Sequence, residues 1–339
     1  MPHDHSQHAQ TAEQIQASFE QLGLLETKFE EAEDQVIRKT EEIKASVYKE
    51  RTKFVKNIPH FWSLVFENCP PEVENFIQPT DSEVLADCFE TFEVSRFELD
   101  DPKGSPKSFS LKFGFGENEW FENKTLEKKF WYRSAQDGWE GLVSEPVKIN
   151  WKKGKDLTGG LTDAAVKLHQ ARTKVADRKK EAALPEYKEL AKKIETSADA
   201  SVSFFGLFAF VSGYRWVSAE ESEKEVQKNK EALEKIRAGG RPDEEEDDED
   251  DEDPMDYQET EVFPGGDEVA TIIAEDMWPK ALVYYKQTFE QDEDDEDLSE
   301  VDFDMDEDDD SGEEVDIRAL VGKGKKDKDE PPSKKQRKA

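Results

Sequence analysis

The stretch SFSLKFGF, residues 108–115, decides the fold, because every second residue in it is large and apolar. Phe109, Leu111, Phe113 and Phe115 alternate with small or polar residues, a period of two that is typical of a strand with one buried face. Such a strand needs other strands beside it and a cover over its apolar face. The stretch therefore predicts an antiparallel sheet that packs against other elements.

The segments on either side supply the neighbouring strands. Residues 92–99, 130–133 and 146–151 are strand candidates, and the turn SAQDGWEG, residues 134–141, separates the last two of them. We interpret residues 84–151 as an antiparallel meander of about four strands.

Helical patterns follow the predicted sheet at residues 161–182 and 185–195, and we expect these helices to cover it. The apolar stretch SFFGLFAF, residues 203–210, is predicted to be buried. Residues 219–237 form a charged, helix-friendly stretch, and an apolar segment near residues 262–290 is expected to dock back on the domain. The sequence therefore predicts an α+β fold.

A long helix is predicted before the sheet, because residues 11–57 contain no Pro and a single Gly. Its apolar residues recur with helical spacing, and the predicted dimer interface comprises Ile15, Phe19, Leu22, Leu25, Phe29, Val36, Ile43 and Val47. At 1.5 Å per residue the helix is roughly 70 Å long, too long to bury this stripe against one compact domain. We predict an antiparallel, two-fold pairing with a second copy, and the alternative is a helix that lies along its own domain.

The charge of the chain is concentrated at its end. Residues 241–339 hold 12 basic and 39 acidic residues, a net charge of -27, whereas residues 1–240 carry only -8. Three acidic runs, residues 243–253, 292–297 and 300–310, account for most of it. Blocks of like charge repel themselves and commonly serve as disordered interaction segments.

The sign of this charge indicates the kind of partner. Direct binding to DNA or to anionic lipid needs basic surfaces, so we expect neither membrane binding nor sequence-specific nucleic-acid binding. A strongly basic partner is favoured. Phe303 and Met305 lie inside the third run, where apolar anchors would add contact area to Coulomb attraction. The alternatives are a tail that serves solubility alone and an acidic cation buffer.

Catalytic and metal-binding signatures are missing from the sequence. There is no Gly-rich phosphate loop and no GxSxG, and the two cysteines, Cys69 and Cys88, suggest neither a disulfide framework nor a zinc site. Asp302, Asp304 and Asp306 have the spacing of a calcium loop, but Glu307 stands where that loop requires Gly. We therefore expect no enzymatic activity, no cofactor and no metal.

The last residues are basic and contain a Pro-Pro spacer. Two clusters predict a nuclear import signal formed by Lys325, Lys326, Lys334, Lys335, Arg337 and Lys338. This signal predicts a nuclear protein, with shuttling to the cytoplasm as a variant of that prediction. Ser299 and Ser311 each have an acidic residue three places on, which makes them candidate sites for an acid-directed kinase.

Several stretches of the sequence resemble the nucleosome assembly protein (NAP)/SET family of histone chaperones, in particular its SET-like branch. IPHFW, residues 58–62, followed by Asn68, is similar to the family's IPgFW…N, and INWKKGKDLT, residues 149–158, to its IxWKxGKxLT. SFFGLF and AEDMWPKALVYY resemble two further family motifs. The central signature FxFxxNx[YF]FxNxxLxK is matched by Phe113, Phe115, Asn118, Trp120, Phe121, Asn123, Leu126 and Lys128.

The resemblance implies a fold and a function. The fold would be a long dimerisation helix joined to an α/β earmuff domain, and the function would be ATP-independent binding and delivery of core histones to DNA. The alternative, also implied by the SET branch, is a regulatory cofactor of a histone acetyltransferase or a phosphatase inhibitor. Candidate histone-binding residues are Glu275, Asp276, Asp243, Glu244, Glu245, Asp292, Glu293, Asp294, Phe303 and Met305.

These predictions divide the chain into segments. The order is a disordered start, the dimerisation helix, the earmuff domain in two pieces, a charged insertion between those pieces, an acidic disordered tail and a basic terminus. Their predicted bounds are residues 1–10, 11–58, 59–218 with 262–290, 219–261, 291–322 and 323–339.

Overall fold

The computed structural model describes residues 12–175, 178–197, 203–211, 216–238 and 259–298. The predicted long helix is confirmed as α1, Ala12–Val55. It ends just before Pro59, and His60 then adopts a left-handed backbone conformation with φ 55°. This residue redirects the chain into the short helix α2, Phe61–Glu67. The helices α3, Pro71–Glu74, and α4, Pro79–Cys88, follow.

The predicted antiparallel meander is confirmed. The strands are β1 Phe89–Ser95, β2 Phe109–Phe115, β3 Thr125–Ser134 and β4 Glu140–Ser144, in the order β1-β2-β3-β4. Phe113 pairs with Phe92 on one side and with Leu126 on the other, and all three are buried. The alternation that begins in β2 therefore continues across neighbouring strands as one apolar face.

Two of the predicted strand positions were wrong. The first strand lies earlier, so that Phe97 and Leu99 fall in the turn after β1. The last strand is β4 rather than residues 146–151. A tight hairpin turn, closed by the hydrogen bond from Ala135 N to Trp139 O (2.8 Å), lets β4 begin directly after it at Glu140. Residues 146–151 leave the sheet, and Val147 N donates instead to Phe208 O at 2.7 Å.

The cover over the sheet also differs from the prediction. Its apolar face packs against α2, the 3-10 turn Phe204–Phe208 and the segment that comprises α8, Gly266–Ile272, and the π-helical turn Ile273–Met277. Their buried apolar residues belong to the same cluster as those of the sheet, so they fill the layer next to it. The helices α5, Leu161–Arg172, and α6, Pro185–Ser197, pack on each other around a separate apolar cluster, with the 3-10 turn Arg178–Ala183 between them.

Two further helices complete the described structure. The charged stretch at residues 219–237 forms α7, Ala219–Arg237, which packs on β3. The last helix, α9 Ala281–Leu298, continues into the segment that was expected to be disordered. None of the helices among the described residues is long and apolar enough to cross a membrane.

Candidate functional site

One face of α1 carries a stripe of exposed apolar side chains. Together these eight residues, which we call the α1 stripe, are between 46% and 65% exposed: Phe19, Leu22, Leu25, Phe29, Val36, Ile43, Val47 and Phe54. Seven of them were predicted as dimer-interface residues. Ile15, the eighth predicted residue, lies on the helix, but its side chain is outside the described part of the structure. An apolar surface of this length is unusual on a monomer and marks an interaction site.

The other face of α1 is held by its own domain. Arg38 donates to the carbonyl oxygens of Leu99 and Gly104, the latter at 3.2 Å. Arg51 donates to Trp278 O at 2.6 Å, and its guanidinium lies 4.1 Å from the Trp278 ring centroid. Val55 is buried. These contacts fix the rotation of the helix, which lies along its own domain with one face and presents the stripe with the other.

The burial of Arg51 has an electrostatic consequence. Loss of solvent lowers the pKa of its guanidinium from the usual value. Among the described residues, Nε and Nη2 have no hydrogen-bond partner. The aromatic rings of Tyr48 and Trp278 stabilise the cation instead, through their negatively polarised faces.

Charge is distributed unevenly along α1. Residues 12–34 hold seven acidic residues and one basic residue, a net charge of -6, whereas residues 35–55 hold three acidic and six basic residues, a net charge of +3. This polarity complements the helix macrodipole. It also means that two parallel copies would place their acidic halves together, while two antiparallel copies would place each acidic half beside a basic one.

Glu275 and Asp276, the predicted histone contacts on the folded domain, lie in the π-helical turn Ile273–Met277. Each already contacts a cation of the same domain. Arg96 donates to Glu275 at 2.7 Å, and Lys280 and the Tyr284 hydroxyl donate to Asp276. The two hydrogen bonds to Asp276 hold the pKa of its carboxyl below the usual value. The structure thus places both acids at the surface, but with part of their charge compensated.

The remaining predicted site residues fall outside these contacts. Asp292, Glu293 and Asp294 lie on α9, where only the helical backbone is described. Residues outside the described part of the structure are Asp243, Glu244, Glu245, Ser299, Phe303, Met305, Ser311, Lys325, Lys326, Lys334, Lys335, Arg337 and Lys338.

The family of the chain follows from comparison with known proteins. A family model for the nucleosome assembly protein (NAP) matches residues 5–288. The chain belongs to this family.

Individual NAP-family relatives are more distant. The chain is 30% identical to Protein SET of Drosophila melanogaster over 158 residues, 45% of this chain and 55% of that protein. It is 29% identical to NAP1-related protein 2 of Arabidopsis thaliana over 140 residues, 40% of this chain and 51% of that protein. The aligned segments thus span about half the length of these relatives. The crystal structure of Vps75 is 21% identical, with a TM-score of 0.48, and the alignment covers 80% of this chain and 97% of Vps75.

The motifs that resemble the NAP family converge in the core of the domain. Trp62 stacks on Trp278 with ring centroids 5.4 Å apart, and Phe61 stacks on Tyr285 at 4.7 Å. Asn68 donates to the Thr288 hydroxyl at 2.6 Å. The aromatic residues of these motifs therefore hold the first and last parts of the domain together.

Two buried charged residues of the NAP domain were not predicted from the sequence as structural residues. Lys128 was recognised only as a motif match, although its alternation with Leu126 and Phe130 places it on the apolar face of β3. Asp81 is buried and accepts hydrogen bonds from Ser203 Oγ at 2.5 Å and Phe204 N at 2.7 Å. Its pairing with a segment 122 residues away leaves no local sequence pattern.

Proposed function

We propose that this protein is a nuclear histone chaperone that acts without ATP. It binds core histones, shields them from DNA and delivers them for nucleosome assembly. The observation that carries the proposal is the net charge of -27 after residue 240 in a chain of the NAP family. Histones bind DNA through Lys and Arg, and acidic side chains compete with phosphate for those groups.

The active form in this proposal is a homodimer that pairs through the α1 stripe. The exposed apolar side chains need a partner, while other residues of α1, such as Arg51, already have one within their own domain. The charge polarity of α1 supports an antiparallel arrangement. A two-fold axis near Val36, midway along the stripe, would bring Phe19 of one copy beside Phe54 of the other.

The proposed histone contacts come from two kinds of acidic residue. Glu275 and Asp276 belong to the folded domain, and the runs at residues 243–253, 292–297 and 300–310 supply most of the additional negative charge. Phe303 and Met305 would add apolar anchors to the third run. Histone delivery follows from mass action, because DNA at an assembly site offers a denser array of negative charge.

Two regulatory features complete the proposal. The basic clusters at residues 323–338 serve nuclear import, and Ser299 and Ser311 are substrates of an acid-directed kinase. Each phosphate would add a charge of about -1.5 to -2 to the acidic tail.

The decisive experiment measures histone binding and nucleosome formation by the purified full-length chain. We expect saturable binding of core histones, release of histone to added DNA, and assembly on closed circular DNA without ATP. An acidic cation buffer would show no fixed stoichiometry, and such a result would remove the proposal. An acetyltransferase assay with and without the chain separates the alternative: stimulation of the enzyme with no histone retention would favour the regulatory cofactor.

A further inference from the structure

One hydroxyl residue of the chain is followed directly by proline. Ser105 precedes Pro106 in the sequence GSPK, residues 104–107, and no other Ser or Thr among the 339 residues has Pro as its next residue. Proline-directed protein kinases select a hydroxyl in this setting, where the next residue has a fixed φ and no backbone N–H. The sequence therefore singles out Ser105 as a candidate for modification.

Ser105 lies in the connection between β1 and β2, residues 96–108. The tip of this connection, residues 100–103, is exposed, and Ser105 is partly exposed beside it. The Ser105 Oγ accepts a hydrogen bond from Lys107 N at 3.2 Å, a local turn that serine commonly makes. Among the described residues the hydroxyl proton has no acceptor, so the oxygen is available to a phosphate donor.

Two arginines hold the backbone on either side of Ser105. Arg38 of α1 donates to Gly104 O at 3.2 Å, and Arg96 donates to Pro106 O at 3.1 Å. The carbonyl groups directly before and directly after Ser105 thus each contact a guanidinium. Arginine is the side chain best suited to bind phosphate, because its donors form a planar fork.

Most carboxylates around this connection already have a cationic partner. The ion pairs are Glu98 with Arg133, Glu275 with Arg96 and Glu223 with Lys103. Asp100 and Asp101 are exposed at the tip of the connection. Ser105 N donates to Glu98 at 3.3 Å, and Arg133 compensates the charge of that carboxylate with two hydrogen bonds, at 2.8 and 3.0 Å.

Arg38 is the cation of this region that is bound only to neutral groups. It donates to the carbonyl oxygens of Leu99 and Gly104, and it makes no ion pair with any residue that the structure describes. Asp34 lies one turn earlier on α1. Burial raises the pKa of Asp34, and the charges of Lys107 and Arg38 oppose that rise. A phosphate carries a charge of about -1.5 to -2 and three acceptor oxygens, so it binds a guanidinium more strongly than a carbonyl does.

We propose that Ser105 is a phosphorylation site for a proline-directed protein kinase and that Arg38 and Arg96 bind the phosphate. In the transfer, Ser105 Oγ attacks the γ-phosphorus of ATP, and the bond from that phosphorus to the oxygen shared with the β-phosphate breaks. ADP leaves with the electron pair of the broken bond, and the hydroxyl proton passes to a carboxylate base of the kinase. Because Arg38 belongs to α1, the phosphate ties the long helix more firmly to the β1–β2 connection. This modification is independent of histone binding.

The first measurement is phosphate transfer to the purified full-length chain. The chain is incubated with γ-labelled ATP and a cyclin-dependent or a mitogen-activated protein kinase, and the modified residue is identified by mass spectrometry. We expect one phosphate on Ser105 and its loss in Ser105→Ala. The matched control is Ser82→Ala, at an exposed serine of α4 that no proline follows, and it should be labelled like the unmodified chain. Absence of label with both kinases, or equal labelling of Ser105→Ala, would overturn the site.

The second measurement shows what binds the phosphate. The second pKa of a phosphoserine is about 6. Nearby cations favour the dianion, so in phosphorus NMR the titration midpoint of the folded, phosphorylated chain should lie about one pH unit below that of the same chain in denaturant. Arg38→Gln and Arg96→Gln should each move the midpoint back towards about 6.

The control for this measurement is Lys112→Gln, which makes the same change in charge at an exposed position on β2. It should leave the midpoint of the phosphorylated chain unchanged. A midpoint that is the same in the folded and the denatured chain, or that Lys112→Gln moves as far as Arg38→Gln does, would overturn the assignment of the two arginines. Neither measurement uses a histone, so failure of the proposed function would leave both results intact.

Discussion

Lys128 is a lysine side chain inside an aromatic core. It is fully buried on β3, and its ammonium donates to the carbonyl oxygens of Glu145 and Ala209 at 2.8 and 2.6 Å. These bonds tie the end of β4 to the segment after Phe208. Burial lowers the pKa of Lys128 to about 7. A single side chain thus couples the sheet to its cover at the cost of desolvating a charge.

The substitution Lys128→Met should destabilise the fold. It leaves two carbonyl oxygens without their donor, a loss of about 1–3 kcal/mol for each buried group. The unfolded chain keeps its Lys128 proton up to about pH 10, whereas the folded chain loses it from about pH 7 upward. The contribution of Lys128 to the free energy of unfolding therefore rises between pH 7 and pH 10.

Denaturant unfolding at pH 6.5 and pH 9.5 checks both statements. The difference in unfolding free energy between the unmodified chain and Lys128→Met should be larger at the higher pH. Lys112→Met, at an exposed position on β2, serves as the control and should show no such trend. A difference that shrinks as the pH rises would contradict the assigned protonation.

His60 holds a left-handed backbone conformation at the junction between α1 and α2. A side chain with a Cβ atom is strained there by about 1–2 kcal/mol, and glycine is not. Because the imidazole is exposed, little packing is lost on substitution. We expect His60→Gly to unfold at a higher temperature than His60→Ala, as measured by calorimetry. The opposite order would show that the turn is not left-handed in solution.

At the scale of elements, α1 is a helix with two different faces. One face is fixed by Arg38, Arg51 and Val55, and the other carries the α1 stripe. The domain contacts prevent the helix from rotating to hide its apolar residues. The stripe is therefore a preformed surface, and pairing needs little rearrangement.

Pairing should depend on the stripe. Leu22→Glu, Phe29→Glu and Val36→Glu together place charges in a desolvated interface without partners, which is strongly unfavourable. We expect light scattering to show a monomer that keeps the far-ultraviolet circular dichroism of the domain. Lys112→Gln/Lys124→Gln/Lys153→Gln changes the net charge by the same three units at exposed positions outside α1, and it serves as the comparison. A triple variant on the stripe that stays dimeric would disprove this interface.

The orientation of the pair can be measured with single cysteines. In an antiparallel pair with its two-fold axis near Val36, the cysteine of Val36→Cys lies beside the same cysteine of the second copy. It should therefore form an intermolecular disulfide on oxidation. In the same pair, the two cysteines of Leu22→Cys lie far from each other and should not form a disulfide. The native Cys69 and Cys88 are buried, and burial raises the pKa of each thiol to about 12, so they should not interfere. Disulfides from both variants would indicate a parallel pair.

Elements in which apolar residues recur with a regular spacing could be predicted from the sequence. Elements that depend on contacts between residues far apart in sequence could not. The stripe and β2 follow from local repeats of apolar residues. The position of β4 depends on where a hairpin closes, and the cover over the sheet depends on Val147 pairing with Phe208. The contact of Glu275 with Arg96 joins residues 179 apart in sequence. No local pattern carries such information.

At the scale of the whole molecule, the charge is split between a first part of -8 and a final part of -27. Exposed charges attract over long range, but salt screens them within about 10 Å at 0.1 M. Contacts on a folded surface are screened less. In the proposed function, the acidic runs would therefore raise affinity and the domain would provide specificity.

Removal of residues 292–339 tests this division. We expect the truncated chain to bind core histones modestly more weakly at low salt and with nearly unchanged affinity at high salt. A neutral linker in place of residues 243–253 is the companion variant. It should weaken binding in the same salt-dependent way, because it removes eleven acidic residues. Complete loss of binding by the truncated chain at every salt concentration would show that the domain is only a scaffold.

The outward-facing side of α1 has a genetic consequence. A newly made chain that has folded but has not yet paired with a second copy exposes the α1 stripe. Quality-control proteases recognise exposed apolar surfaces of this kind. We expect chains made without a competent copy to be short-lived, which pulse-chase labelling of the stripe variants would show. In the proposed homodimer, an allele that keeps the α1 stripe but lacks the acidic runs would encode a chain that pairs with the normal product. Its effect in a heterozygote should therefore be dominant.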